Sequence, residues 1–139
     1  FDGAANMAPA ADLAALFGRF AAKGLRLGIA SSDSAAAVRA AAERFGFMQH
    51  MDFLCGYDSG HGHKPTEGMP LAFCRACGLS PGEIAVIGDS LHDMEMGRRA
   101  GAALRIGVLT GAGTAETLAP FADTVIPGID CLEDLLGLS

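Results

Sequence analysis

Short apolar runs alternating with amphipathic, glycine-terminated segments predict an α/β protein, a three-layer, Rossmann-like parallel sheet with helices on both faces. Two observations carry that reading. Apolar runs are repeatedly followed by a polar loop and then by apolar residues at helical spacing. Half of the 139 residues are hydrophobic, enough for a real core in one compact domain.

The elements follow in order. "PAADLAALFGRFAAKG" sets Leu13, Leu16, Phe17 and Phe20 at helical spacing, with Pro9 ahead and Gly24 as a stop. "LRLGIA" is a short strand, and "SSDS" opens the Ala-rich helix "AAAVRAAAERFG", which ends at Gly46. "MDFLCGY" is a weaker strand, "DSGHGHKPTEG" a polar glycine-rich loop and "MPLAFCRACG" a helix. "EIAVIG" is a buried strand leading into the loop and helix "DSLHDMEMGRRAG". "LRIGVLTG", "TAETLAPFA", "DTVIP" and "DCLEDLLG" continue as strand, helix, strand, helix. No fixed-period repeat is present.

Composition narrows the function classes. A net charge of −6 with no concentrated basic patch argues against a broad nucleic-acid or anionic-membrane surface. Every apolar stretch is interrupted well before the roughly 18 residues of a membrane helix, and no signal segment is evident. Cys55, Cys74, Cys77 and Cys131 are too few and too irregularly placed for a disulfide framework. A cytoplasmic protein with reduced thiols is expected.

In parallel sheets ligands bind beyond the carboxyl ends of the strands. Those positions hold hydroxyl and amide donors at Ser31 and Ser32, a cation at Lys64 and carboxylates at Asp89 and Asp93. Together they suit phosphate with Mg²⁺, which prefers hard oxygen ligands and commonly uses one or two carboxylates, waters and a substrate phosphate. Each residue also has a plain structural explanation. Ser31 and Ser32 could be helix N-caps, Asp89 a turn aspartate, Lys64 a solvated loop lysine, and Asp93 the partner of Ser90 in a capping box. Their occurrence after successive strands, in one order, favours a joint site.

Cys74 and Cys77, with His61 and His63 upstream, mimic a zinc set. Their helical setting favours ordinary buried thiols. His61 and His63 could instead touch substrate. "TGAGT" reads as a turn at the site's rim, and Met48, Met51, Met69, Met94 and Met96 as core or rim packing.

On these motifs the chain resembles the haloacid dehalogenase superfamily of phosphatases, specifically its phosphoglycolate phosphatase-like group, over about residues 9 to 136. "LRLGIASS" is similar to the second family motif, "GHGHKP" to the third and "IAVIGDSLHD" to the fourth. The resemblance implies that Ser31, with the Ser32 amide nearby, hydrogen-bonds a phosphoryl group, and that Lys64 holds phosphate and nucleophile. It implies Asp89 as a direct Mg²⁺ ligand and Asp93 as a second acid that completes or orients the metal shell. Ser31, Lys64 and Asp89 are thus the expected catalytic residues.

The first family motif, a central strand ending in Asp-x-Asp, has no clear counterpart. Asp2 of "FDG" is a weak candidate, since Asp-Gly is also a turn signal. A sheet lacking a central strand leaves unpaired backbone groups, each costing roughly 1–3 kcal/mol when buried. The expectation is therefore that the first central strand and most of the cap lie outside these residues. Residues 1–8 read as a remnant of cap or linker and 9–139 as the core domain.

The expected function is Mg²⁺-dependent hydrolysis of a small, phosphoglycolate-like phosphate monoester through an aspartyl-phosphate. The partner is a small phosphorylated metabolite. The alternatives are a phosphate-binding α/β domain without a nucleophile, or a related phosphomutase.

Overall fold

The computed structural model describes residues 13–62, 64, 66–109 and 114–137. Asp2, the 1–8 segment, Pro9, His63 and residues 110–113 of "TGAGT" lie outside the described residues.

Strand and helix alternate as expected. The order is α1 (Leu13–Ala22), β1 (Gly28–Ala30), α2 (Ala35–Arg44), β2 (Phe53–Cys55), α3 (Gly68–Cys77), β3 (Ala85–Gly88), α4 (Leu91–Ala100), β4 (Leu104–Val108), α5 (Ala115–Leu118), β5 (Thr124–Ile126) and α6 (Leu132–Leu135). Short 3₁₀ turns at Met48–His50, Pro81–Glu83 and Ile129–Cys131 fill connections that the sequence pattern leaves as loop. At Pro81 the cause is local: Ser80 and Glu83 form a capping box around a proline in the first turn.

Among the described residues the strands form two parallel sheets. In one, β1 pairs with β2, Ile29 opposite Leu54; in the other the order is β3-β4-β5, with Ile87 opposite Ile106 and Gly107 opposite Val125. β1 and β3 do not pair, which agrees with the expectation that a central strand lies outside these residues. Between them lies a cavity of about 400 Å³ walled by Gly28, Ile29 and Ala30 on one side and by Ala85, Val86 and Ile87 on the other.

Helices join the two sheets. On one face α1 contributes Leu16 and Phe20 to a cluster with Ile106, Val108 and Ile126, and Leu13 to a second cluster with Ile29, Val38 and Phe47. Phe17 packs against both clusters, its ring edge-on to Phe47 at 5.2 Å. On the other face α3 and α4 place Met69, Cys74 and Met96 against Cys55 of β2 and Val86 of β3. This gives three layers, because alternating strand residues bury apolar groups on both faces. Met69, Met94 and Met96 are core, and Met48 and Met51 are half-buried at its edge.

Candidate active site

Ser31 immediately follows β1 and is fully buried. Its N–H donates to the Cys55 carbonyl at 3.1 Å, and its Oγ accepts from the Asp33 N–H at 3.0 Å. An Oγ that accepts at one lone pair still has its own O–H to donate. Ser32, next along, is exposed. The helix-cap explanation of these two serines does not hold, because Ser34 is the N-cap of α2 and accepts from Ala37 N at 3.2 Å. Ser31 and Ser32 are therefore placed by the end of the strand.

Lys64 is not a solvated loop lysine. Its side chain is 1 % exposed and its Nζ lies 2.5 Å from Asp93 Oδ1, whose side chain is also 1 % exposed. Burying an ammonium group is costly unless an opposite charge meets it, so each member of this pair requires the other. Lys64 follows β2 and Asp93 lies in α4 after β3, so the ion pair joins the loop after β2 to the first turn of the helix after β3.

Asp93 has a second set of partners. Its Oδ2 accepts from Asp89 N at 3.1 Å, Ser90 N at 3.3 Å and Ser90 Oγ at 3.0 Å. The Ser90 Oγ accepts in turn from Asp93 N at 3.3 Å, completing the capping box read from the sequence. Gly88 makes room for this carboxylate: a Cβ there would stand 2.2 Å from Asp93 Cβ. One Asp93 oxygen thus serves the helix cap and the other the Lys64 ion pair.

Asp89 is half-buried at the C-terminal end of β3, its N–H bonded to Asp93. For a hard cation the donor set fits in part. Asp89 offers a carboxylate at the end of β3, while both oxygens of Asp93 already meet donors or a cation. Among the described residues no cluster of three or more His, Cys, Asp or Glu could hold a metal by itself.

Burial pushes the Cys55 thiol up to about 11, against the opposing pull of nearby positive charge including Lys64, so it stays protonated and non-nucleophilic near neutrality. Cys74 and Cys77 are free thiols in α3, Cys74 packed in the core, and burial raises both. The His61 ring packs on Phe53 with centroids 5.9 Å apart. No described helix is long and apolar enough to cross a membrane.

The class defined by this fold and site is a parallel α/β protein with a serine, a buried lysine and paired aspartates beyond its strands. A family model described as haloacid dehalogenase-like hydrolase matches residues 2–101, and the chain belongs to that family. It is 33 % identical over 95 residues to a phosphoglycolate phosphatase of Chromobacterium violaceum, an alignment spanning 68 % of this chain and 41 % of that protein. A solved HAD phosphatase from Thermococcus onnurineus matches at a TM-score of 0.78 with 23 % identity, covering 91 % of this chain and 57 % of that one. A HAD family hydrolase from Deinococcus radiodurans R1, solved with bound phosphate and sodium, matches at 0.80 with 21 % identity, covering 91 % and 58 %. The chain therefore spans less than half of the C. violaceum relative and under three fifths of each solved chain.

Proposed function

We propose that this chain is the core domain, over residues 9–139, of a cytoplasmic Mg²⁺-dependent phosphatase acting on a small phosphate monoester of the phosphoglycolate kind, with residues 1–8 a remnant of cap or linker. The observation that carries the reading is the buried Lys64–Asp93 pair, which holds a positive charge at the ends of two parallel sheets where Ser31 and Asp89 also fall. A phosphatase of C. violaceum and a phosphate-bound relative of D. radiodurans support the substrate class.

In this reading the Ser31 hydroxyl donates to one phosphoryl oxygen and the Lys64 ammonium neutralises another. Asp93 fixes Lys64 with one oxygen and the Asp89 backbone with the other, so cation and carboxylate are pre-positioned and need little reorganisation during reaction. Mg²⁺, held by Asp89 with support from Asp93, would supply charge neutralisation at the phosphoryl oxygens. The attacking carboxylate belongs to a further strand seated between β1 and β3, where the apolar cavity gives it two parallel edges to pair with. That carboxylate forms an aspartyl-phosphate by displacing the alcohol, and water then releases phosphate.

The test is hydrolysis of p-nitrophenyl phosphate by the full-length natural protein, with Mg²⁺ titrated and then removed by chelator. Turnover that rises with Mg²⁺ and disappears on chelation is expected. Phosphate binding without any turnover would replace this proposal with a non-catalytic binding domain.

A further inference from the structure

Ser31 and Lys64 sit on different loops, and their separation has to be fixed by something between them. Three contacts tie the loop after β1 to the last residue of β2 and the loop that follows it. The first is the Ser31 N–H bonded to the Cys55 carbonyl; the second runs from the Tyr57 N–H to the Asp33 carbonyl at 3.0 Å. The third is a side-chain bond, with Asp58 Oδ1 accepting from the Ala35 N–H at 2.8 Å.

Ala35 is the first residue of α2, so its N–H is one of the donors that a helix leaves unmatched at its start. Ser34 accepts from Ala37, and Asp58 reaches across from the other loop to take Ala35. A carboxylate at a helix N-terminus is also favoured by the helix dipole. Gly56 lets the loops meet: a Cβ there would stand 2.3 Å from the Asp33 carbonyl oxygen and 2.4 Å from Ala35 N. Ser59 secures the near end, its Oγ accepting from Gly56 N at 3.0 Å.

We infer that Asp58 is a positioning residue for phosphoryl transfer, holding the serine loop at Ser31–Ser34 in register with the loop that carries Lys64. It touches no reacting atom. Its carboxylate sets the distance between the hydroxyl and the ammonium that share one phosphoryl group. This inference rests on the phosphatase reading above. Displacements of about 1 Å at such positions can cost up to about 100-fold in rate.

The test compares Asp58→Ala and Asp58→Asn in the full-length protein. Asp58→Ala is expected to lower kcat for p-nitrophenyl phosphate about 10-fold and to weaken inhibition by inorganic phosphate, with the thermal midpoint close to that of the parent. Asp58→Asn keeps an oxygen acceptor for Ala35 and is expected to restore most of the kcat. Unchanged kinetics in Asp58→Ala would overturn the inference. So would a loss that follows a lowered thermal midpoint and is not rescued by Asn.

Amide hydrogen exchange gives an activity-independent reading. Asp58→Ala should lose protection at Ala35 and Tyr57 while the strands keep theirs. Unchanged protection at those two amides overturns the inference. If the parent has no turnover, the phosphatase proposal fails by itself, and the exchange result still decides whether Asp58 ties the loops.

Discussion

Replacing Asp93 by Ala probes the least expendable contact at the strand ends. The substitution removes the acceptor for Asp89 N, Ser90 N and Ser90 Oγ and takes the Asp93 carboxylate away from the Lys64 ammonium, which is 1 % exposed. Loss of a helix cap costs about 1 kcal/mol. Breaking a buried ion pair by removing one partner costs about 3–5 kcal/mol, because the other charge stays buried. The two losses share one carboxylate, so about 3–5 kcal/mol in total is expected. With a urea m-value of about 2 kcal/mol/M, the unfolding midpoint should fall by about 1.5–2.5 M. Ser90→Ala is the control, since it removes only cap bonds and should cost about 1 kcal/mol. Urea denaturation followed by circular dichroism reads both. If Asp93→Ala costs no more than Ser90→Ala, the buried pair contributes nothing and the reasoning is wrong.

Three other outcomes are expected. Gly88→Ala puts a methyl group 2.2 Å from Asp93 Cβ and should destabilise by about 1–3 kcal/mol in the same denaturation assay while lowering any phosphatase turnover. Phe17→Ala removes the ring that packs against both apolar clusters under the two sheets, and calorimetric or urea unfolding should show a loss of about 2–3 kcal/mol. Cys55, with its thiol raised to about 11, should resist a thiol reagent at pH 8 in the folded protein. The unfolded chain releases that proton near the ordinary thiol value of 9.0 while the fold retains it, so Cys55 lowers stability as pH rises from about 9 toward 11, which a pH series of urea midpoints would reveal.

Much of the chain was legible because local signals agreed with one another. Leu13, Leu16, Phe17 and Phe20 marked one face of α1, and Ser90 with Asp93 marked the start of α4. What was not legible depended on partners distant in sequence. A lysine in a glycine-rich loop looks solvated, and only the approach of Asp93 across the sheet ends makes Lys64 a buried ion. "SSDS" suggested Ser31 or Ser32 as the cap, and the use of Ser34 instead follows from how far β1 runs before the chain turns. The division into two sheets was legible only through the absent Asp-x-Asp strand, since a strand's apolar pattern does not say which edge is paired. Asp58 gave no signal beyond its loop, because the N–H it accepts belongs to a helix 23 residues earlier.

The central claim is that the carboxylates after β3 serve phosphoryl transfer with Mg²⁺. The most direct measurement is the Mg²⁺ dependence of p-nitrophenyl phosphate hydrolysis by the full-length protein and its Asp89→Asn variant, alongside their urea midpoints. The account predicts Mg²⁺-saturable turnover in the parent and at least about a 100-fold loss in the variant, with closely similar unfolding midpoints. Equal turnover in parent and variant across the Mg²⁺ range would contradict it.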